Sequence, residues 1–220
     1  MAYQLKQGIS FCTVAGRCIF LDVPSDRYFA LAEDAEASFL KLVEGRALTK
    51  SDLEVLSRLG GTGPLTIVDG EQSALATRNA PPAVGSLLDH LPGRSGVSET
   101  VRALWHLRSA ERSLRRLGLA GALTKVAARK QNAPGGVSQG RVEAVAAGFR
   151  AASAFSTKLD QCLPRSLAVA ARLLAIGGKP DLIIGVKLQP FQAHCWVQIE
   201  GQLVNEWQEV ASAFTPILAL

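Results

Sequence analysis

Alternating apolar and polar positions dominate the first third of the chain. The segment "ISFCTVAGRCIFLDV" predicts two strands that turn at Ala15 and Gly16, and "RYFAL" predicts a third strand after the turn signal "PSD". From residue 35 the apolar spacing becomes helical, and "LTKSDLEVLSRLG" predicts a second helix with Thr49 as its N-cap. The segment "PLTIVD" predicts one more strand. Strands followed by helices predict a small, winged-helix-like α+β domain over residues 1–80.

The pattern changes again after a segment rich in proline, glycine and serine. That segment, "NAPPAVGSLLDHLPGRSGVS", predicts a linker at residues 81–97 and a second α+β domain over residues 98–220. The first helix there, "ETVRALWHLRSAERSLRRLG", is predicted to end at its glycine. Its apolar side carries Val101, Leu104, Trp105 and Leu114. We predict next the helix "RVEAVAAGFRAASAF", a helix from "CLPRSL", the strand "DLIIGVKL", and a final strand pair, "HCWVQI" and "QLVNEW".

The composition predicts a globular protein of the cytoplasm. A chain of 220 residues with 48% hydrophobic content can bury one or two real cores. Its apolar runs are shorter than the roughly 18 residues of a membrane span, and the start "MAYQLKQG" lacks the layout of a secretory signal. The 4 cysteines are too few for a disulfide scaffold and match no zinc spacing, so we predict reduced thiols and no metal site.

The positive charge of the chain is confined to its middle. Residues 81–150 hold 11 basic and 4 acidic groups, whereas residues 1–80 hold 8 and 10. The basic segment is either a solvated helix face or a docking face for an acidic partner or a nucleic acid. A winged helix that binds a duplex needs a basic face, which the first domain lacks. We therefore expect no nucleic-acid partner.

Cys162 stands two residues before Pro164, at the start of a predicted helix. Proline has no backbone N–H, so it fits a helix in the first turn, and this places the N-cap at about residues 161–163. At a helix N-terminus the macrodipole favours a thiolate, and free backbone N–H groups can form part of an oxyanion hole. The alternative interpretation is a buried cysteine that packs as a small apolar group.

A thiolate nucleophile needs a base, and the base needs a third group that orients its ring. His90 lies in the predicted linker and His106 on the amphipathic helix. His194 begins the strand "HCWVQI" in the same domain as Cys162. We therefore predict His194 as the base.

The hairpin turn after this strand decides which acid faces His194. A two-residue turn would place Glu206 opposite Cys195, whereas a three-residue loop, residues 199–201, would place it opposite His194. We predict the three-residue loop and Glu206 as the orienting acid. Asn205 and Glu209 are the alternatives.

The second domain resembles the transglutaminase-like leader peptidases of lasso-peptide biosynthesis, the B-type maturation proteins. The resemblance rests on "CLPRSLAVAARLLAIGG", "IIGV" and "PFQAHCWVQIEGQLVNE", and it covers roughly residues 98–212. It implies a transglutaminase- or papain-like cysteine peptidase fold. In that fold Cys162 would be the nucleophile, His194 the general base and acid, and Glu206 the orienting residue, where the family usually has aspartate.

The first domain is similar to the leader-recognition element of the same pathway. The resemblance implies that the leader peptide adds a strand to the third strand of the sheet and packs against the helix at residues 51–59. The implied leader contacts are Arg27, Tyr28, Phe29, Ala30, Leu31, Leu53 and Leu56.

Together these resemblances imply a cytoplasmic enzyme that binds a precursor by its leader and hydrolyses the leader–core bond through a thioester. The implied partners are the precursor peptide and an ATP-dependent, asparagine-synthetase-like cyclase that forms the macrolactam. We expect no cofactor in the peptidase itself, and the sequence leaves open whether this step needs ATP. Two alternatives stand beside this interpretation. One is an acyl transferase of the transglutaminase or amidase type, and the other is a non-catalytic winged-helix binding protein.

Overall fold

The computed structural model describes residues 2–69, 80–91, 96–154 and 162–220. The chain divides into two compact units, Met1–Arg78 and Asn79–Leu220. Each has a mixed α/β architecture.

The first unit contains two small antiparallel sheets. Its strands are β1 (Ala2–Leu5), β2 (Ile9–Val14), β3 (Arg17–Asp22), β4 (Arg27–Ala30) and β5 (Leu65–Val68). β1 pairs with β5, and the other three form a sheet in the order β2-β3-β4, so β4 lies at an edge. The turn between β2 and β3 consists of Ala15 and Gly16, with φ angles of 49° and 78°. The four strands predicted for this unit are confirmed, and β1 was missed because its sequence, "AYQL", does not alternate between apolar and polar residues.

Two helices complete the first unit. They are α1 (Glu33–Val43) and α2 (Lys50–Gly61). Thr49 caps α2 as predicted, because its hydroxyl accepts a hydrogen bond from the Asp52 N–H while the Asp52 carboxylate accepts one from the Thr49 N–H. The core centres on the buried rings of Phe11, Phe20 and Phe39, which contact one another.

The second unit places helices against a five-stranded sheet. Its strands are β6 (Gly85–Ser86), β7 (Asp181–Lys187), β8 (Gln192–Ile199), β9 (Gln202–Leu203) and β10 (Thr215–Ala219). Its helices are α3 (Val97–Gln131), α4 (Gln139–Ser153), α5 (Cys162–Ala175) and α6 (Gln208–Ser212). The strand order is β10-β7-β8-β9-β6, and every pair is antiparallel except β6 with β9. α5 packs against β7 and β8 and also against α3 and α4.

The ends of this sheet differ from the sequence prediction. β6 and the 3₁₀ turn Leu87–Asp89 lie within residues 81–97, the predicted linker, and β6 pairs with β9 of the second unit. The predicted strand "QLVNEW" is paired only at Gln202–Leu203, and β10 was not predicted. A two-residue strand has no measurable period, so alternation does not reveal it.

α3 differs from its predicted form in two ways. The backbone leaves helical geometry at Gly118 (φ 64°, ψ −174°), where the sequence predicted an end, but the helix resumes and continues to Gln131. The buried side consists of small and medium residues such as Ala103 and Leu107, whereas Trp105 is 60% exposed. The predicted apolar face was therefore wrong at Trp105 and at Val101, which is 58% exposed, whereas Leu104 and Leu114 are half-buried. Within the part of the chain that the structure describes, none of the helices combines the length and apolar character needed to cross a bilayer.

Candidate active site

Cys162 is the first residue of α5, and Pro164 lies in the first turn of that helix. The position agrees with the constraint that proline imposes. The thiol is half-buried, and its sulfur interacts with the backbone N–H groups of Leu163 and Cys195. The first of these belongs to the helix start, and the second belongs to β8. The nucleophile candidate is thus held where a helix N-terminus meets the sheet.

His194 lies on β8, opposite Gly185 of β7. Its ring lies 5.1 Å from the ring of Phe214 and 6.2 Å from that of Trp196, between centroids. A Cβ atom added at Gly185 would lie 2.7 Å from the Trp196 ring, which no side chain tolerates. The glycine in "IIGV" therefore makes room for the indole that supports the imidazole.

Glu206 contacts the Nε2 atom of the His194 imidazole. Its Oε2 lies 2.5 Å from Nε2 of His194, and both side chains are mostly buried. Oε1 accepts a hydrogen bond from the Trp207 N–H at 2.9 Å, and the Glu206 carbonyl accepts one from the Ser86 hydroxyl at 2.8 Å. His194 also has a hydrogen bond with the Cys162 side chain, and we assign this bond to Nδ1 because Nε2 faces Glu206.

The hairpin register that brings Glu206 to His194 is not the predicted one. Glu200 and Gly201 form a two-residue turn with φ angles of 51° and 79°, and Ile199 pairs with Gln202. In a regular ladder this register would place Glu206 opposite Cys195. Strand β9 ends at Leu203, however, and the last backbone bond to β8 runs from the Val204 N–H to the Val197 carbonyl. The chain then turns away, so Glu206 reaches His194 from an irregular segment.

Asn205 explains why the ladder ends. Its Oδ1 accepts a hydrogen bond from the Val197 N–H at 2.8 Å, so a side chain satisfies a donor of β8. Its Nδ2 donates to the hydroxyl of Ser166 at 3.0 Å, and that hydroxyl donates to the Cys195 carbonyl at 2.7 Å. These bonds connect α5, β8 and the segment that carries Glu206. Asn205 therefore holds the backbone, and the imidazole contact belongs to Glu206.

The electrostatics of the site favour an ion pair between Cys162 and His194. Burial alone raises the pKa of the Cys162 thiol, but the hydrogen bond and charge of His194 and the two backbone N–H groups outweigh it and lower that pKa below its ordinary value. Burial alone lowers the pKa of His194, but its hydrogen bonds with Cys162 and Glu206 and their charges raise that pKa to about 9. At pH values above the lowered pKa of Cys162 and below the raised pKa of His194, the site holds a thiolate and an imidazolium.

Glu206 is the carboxylate of this arrangement. Burial alone raises its pKa, but the hydrogen bonds from His194 and the Trp207 N–H and the charges of His194 and Arg165 lower it overall. The carboxyl is therefore ionised across the neutral range and stabilises the imidazolium.

Several supporting residues escaped the sequence prediction. Ser166 and Gly185 lie in the segments "CLPRSL" and "IIGV", which were quoted for the family resemblance, but the sequence alone assigned them no function. Ser86 and Phe214 had no signal, because Ser86 lies in the predicted linker and Phe214 beyond the last predicted strand. Glu209, an alternative acid, lies in the first turn of α6.

The residues predicted to bind a leader lie in the first unit. Arg27, Tyr28, Phe29 and Ala30 form the edge strand β4, and Leu31 follows it. Phe29 and Leu31 are half-buried against the core. Leu53 is 46% exposed on α2, but Leu56 is fully buried in the core. The prediction for Leu56 is therefore wrong, because its side chain is not at the surface where a peptide would bind.

Comparison with known protein families identifies the second unit. A family model described as transglutaminase-like superfamily matches residues 104–219, more than half of the chain. The chain belongs to the transglutaminase-like superfamily. This superfamily generally contains cysteine peptidases and transglutaminases, and the match covers Cys162, His194 and Glu206 of the transglutaminase-like domain. Neither the comparison with curated proteins nor that with solved structures found a match.

Among the described residues, no group of three or more His, Cys, Asp or Glu side chains could hold a metal ion.

Proposed function

We propose that the protein is a cysteine peptidase that removes the leader from a ribosomally synthesised precursor of the lasso-peptide type. The observation that carries the proposal is the chain of contacts from the Cys162 thiol to His194 and on to Glu206. Such a chain supplies a nucleophile, a base that also acts as an acid, and a carboxylate that orients the base.

The proposed reaction proceeds by two acyl transfers. The Cys162 thiolate attacks the carbonyl carbon of the leader–core bond, and backbone N–H groups in the first turn of α5 stabilise the developing oxyanion. The His194 imidazolium gives its proton to the departing core amine, which leaves a thioester on Cys162. Water then attacks the thioester while His194 accepts its proton. The leader leaves with a free carboxylate, and the thiolate–imidazolium pair is restored.

In this proposal the first unit is a winged-helix-like recognition domain for the leader. β4 lies at the edge of its sheet, and the free backbone groups of an edge strand can pair with an extended peptide. Phe29 and Leu31 alternate on the core side of this edge, and Leu53 adds exposed apolar surface on α2. Backbone pairing would supply affinity, and these side chains would set the register.

The proposal also places the enzyme in a cytoplasmic sequence of reactions. The released core would carry the free α-amine that an ATP-dependent, asparagine-synthetase-like cyclase needs to close a macrolactam. The peptidase step itself is proposed to use no cofactor.

The direct test uses the full chain with synthetic peptides encoded by the short reading frames beside its gene. Mass spectrometry should find a leader with a free carboxylate and a core with a free amine. Cys162→Ala should abolish both products. If the thioester instead passes to an added primary amine in preference to water, the protein is an acyl transferase and the peptidase proposal fails.

A further inference from the structure

A cavity of about 360 Å³ is lined by residues from both halves of α3 and by residues of α5. α3 changes direction at Gly118, so Ser109 and Ser113 from its first half line the same cavity as Lys125 and Arg129 from its second half. The remaining wall consists mostly of small apolar side chains of α3 and α5. This volume suits a small ligand.

The cavity is separate from the candidate active site. An α-helix turns by about 100° per residue, so Leu167, Ala171 and Ala175 lie about half a turn around α5 from Cys162. The side of α5 near Cys162 faces β8, as the hydrogen bond from Ser166 to the Cys195 carbonyl shows. The cavity therefore belongs to the opposite side, towards α3.

The cavity lining carries four side chains that can donate hydrogen bonds and have no protein acceptor among the described residues. Lys125 and Arg129 are exposed to solvent and Ser109 and Ser113 are half-buried, so all four are open to a ligand. Within the described ranges, the side chains of Lys125, Arg129, Ser109 and Ser113 have no hydrogen-bond or ion-pair partner. The cavity lining contains no Asp or Glu residue. Lys125 and Arg129 stand four residues apart on one helix, as do the two serines, so each pair shares a helix face. Four donors thus point to one ligand with several oxygen acceptors.

His106 lies at the same cavity, near the charges of Arg172 and Arg129. Burial lowers the pKa of His106 to about 4, with help from the charges of Arg172 and Arg129 and against that of Glu99. Its ring meets the exposed ring of Trp105 edge-on, with centroids 4.9 Å apart. Trp105 therefore offers an indole surface at a cavity whose charge is positive.

We propose that this cavity binds a phosphate group, either as the monoester of a small molecule or as free phosphate. Arg129 and Lys125 would bind the phosphate oxygens, and the hydroxyls of Ser109 and Ser113 would donate to them. A phosphate dianion accepts more hydrogen bonds than a carboxylate, and it matches the number of donors. The indole of Trp105 provides a surface on which a planar group of the same ligand can stack.

Calorimetry with the full chain tests the proposal, using inorganic phosphate, phenyl phosphate and benzoate. We expect saturable binding of the two phosphates and at least tenfold weaker binding of benzoate. A higher affinity for phenyl phosphate than for inorganic phosphate would show that the ligand is a phosphate ester with an aromatic group. Equal affinities would show that the ligand is free phosphate. In the NMR titration of His106, bound phosphate should raise its pKa by about one unit or more, because an anion then lies nearby.

Charge variants separate a site from general attraction. The double variant Lys125→Gln/Arg129→Gln should lose at least tenfold in phosphate affinity. The matched control is Arg108→Gln/Arg116→Gln, which removes the same charge from exposed positions of α3 outside the cavity lining. Both variants should keep the wild-type alkylation rate at Cys162. The proposal is overturned if phosphate does not saturate, if benzoate binds equally well, or if both double variants lose affinity to the same extent.

Discussion

At the scale of single residues, Cys162 differs from the other three cysteines in its surroundings. Burial raises the pKa of Cys12 to about 12 and also raises those of Cys18 and Cys195. Only the environment of Cys162 lowers the thiol pKa, because His194 and two backbone N–H groups face its sulfur. All four cysteines are free, as the sequence predicted. A thiol reagent should therefore distinguish Cys162 from the rest.

We expect peptidase activity to depend on pH through a bell-shaped profile. The thiolate forms as pH rises through the lowered pKa of Cys162, so the rising limb should lie below the ordinary thiol range. The imidazolium is lost as pH rises through the His194 pKa of about 9, so activity should fall there. Alkylation of Cys162 by iodoacetamide, followed by mass spectrometry, should show the rising limb alone. A thiol that titrates at the ordinary cysteine value would contradict the ion pair.

The carboxylate of Glu206 can be tested with little change in shape. Glu206→Gln keeps the size of the side chain but removes the charge that stabilises the imidazolium, so the falling limb should move to lower pH. We expect a smaller loss of activity than for Cys162→Ala, because in a comparable triad the acid contributed about 3 × 10⁴ and the nucleophile about 2 × 10⁶. Glu209→Gln is the control, since Glu209 lies on α6. Equal losses for both variants would remove Glu206 from the orienting role.

At the scale of elements, the site depends on how α5 and β8 are joined. The buried Ser166 hydroxyl spans them, and Asn205 adds the segment that carries Glu206. On the neighbouring strand β7, Gly185 has no side chain, so the Trp196 ring can lie over it beside His194. The catalytic candidates are thus positioned by residues that have no proposed chemical role of their own.

A pair of glycine variants tests this support. Gly185→Ala should displace the Trp196 ring, cost about 1–3 kcal/mol of unfolding free energy, and slow the alkylation of Cys162 through a displaced His194. Gly140→Ala is the matched control, because a Cβ there meets nothing within 4 Å in α4. The control should be stabilised by about 0.4–1 kcal/mol without a change in alkylation. The interpretation of Gly185 fails if both variants have the unfolding free energy and the Cys162 alkylation rate of the wild type.

At the scale of the whole molecule, the two units divide the proposed work. The second unit contains Cys162, His194 and Glu206, and the first contains the edge strand β4 and the exposed Leu53. A change in leader recognition should therefore alter the KM for a precursor and leave the chemistry of the thiol unchanged.

Leu53→Asp tests this division in the full chain. It should raise the KM for the precursor by about tenfold or more, because burial of a leucine side chain against a peptide is worth about 1.5–3 kcal/mol. The alkylation rate of Cys162 should stay the same. Ile67→Asp is the control, since Ile67 is 42% exposed on β5 of the same unit. An unchanged KM in Leu53→Asp, or an equal rise in both variants, would show that Leu53 does not contact the leader.

The sequence by itself determined the features that depend on neighbouring residues. Local patterns of apolar residues predicted β2, β3, β4, β5, β7 and β8, and Thr49 predicted the start of α2, because side-chain patterns and capping act within a few residues. Pro164 placed Cys162 at a helix start for the same reason, since the missing N–H restricts one turn of backbone.

Only the tertiary structure decided how these elements meet. The contact between Glu206 and His194 was predicted from the wrong register, and it exists because the Asn205 side chain replaces a ladder partner of Val197. Ser86 supports Glu206 from 120 positions away, and Trp105 is exposed because α3 packs through its small residues. Such contacts depend on which surfaces pack together, and the period of a single segment carries no information about its partner.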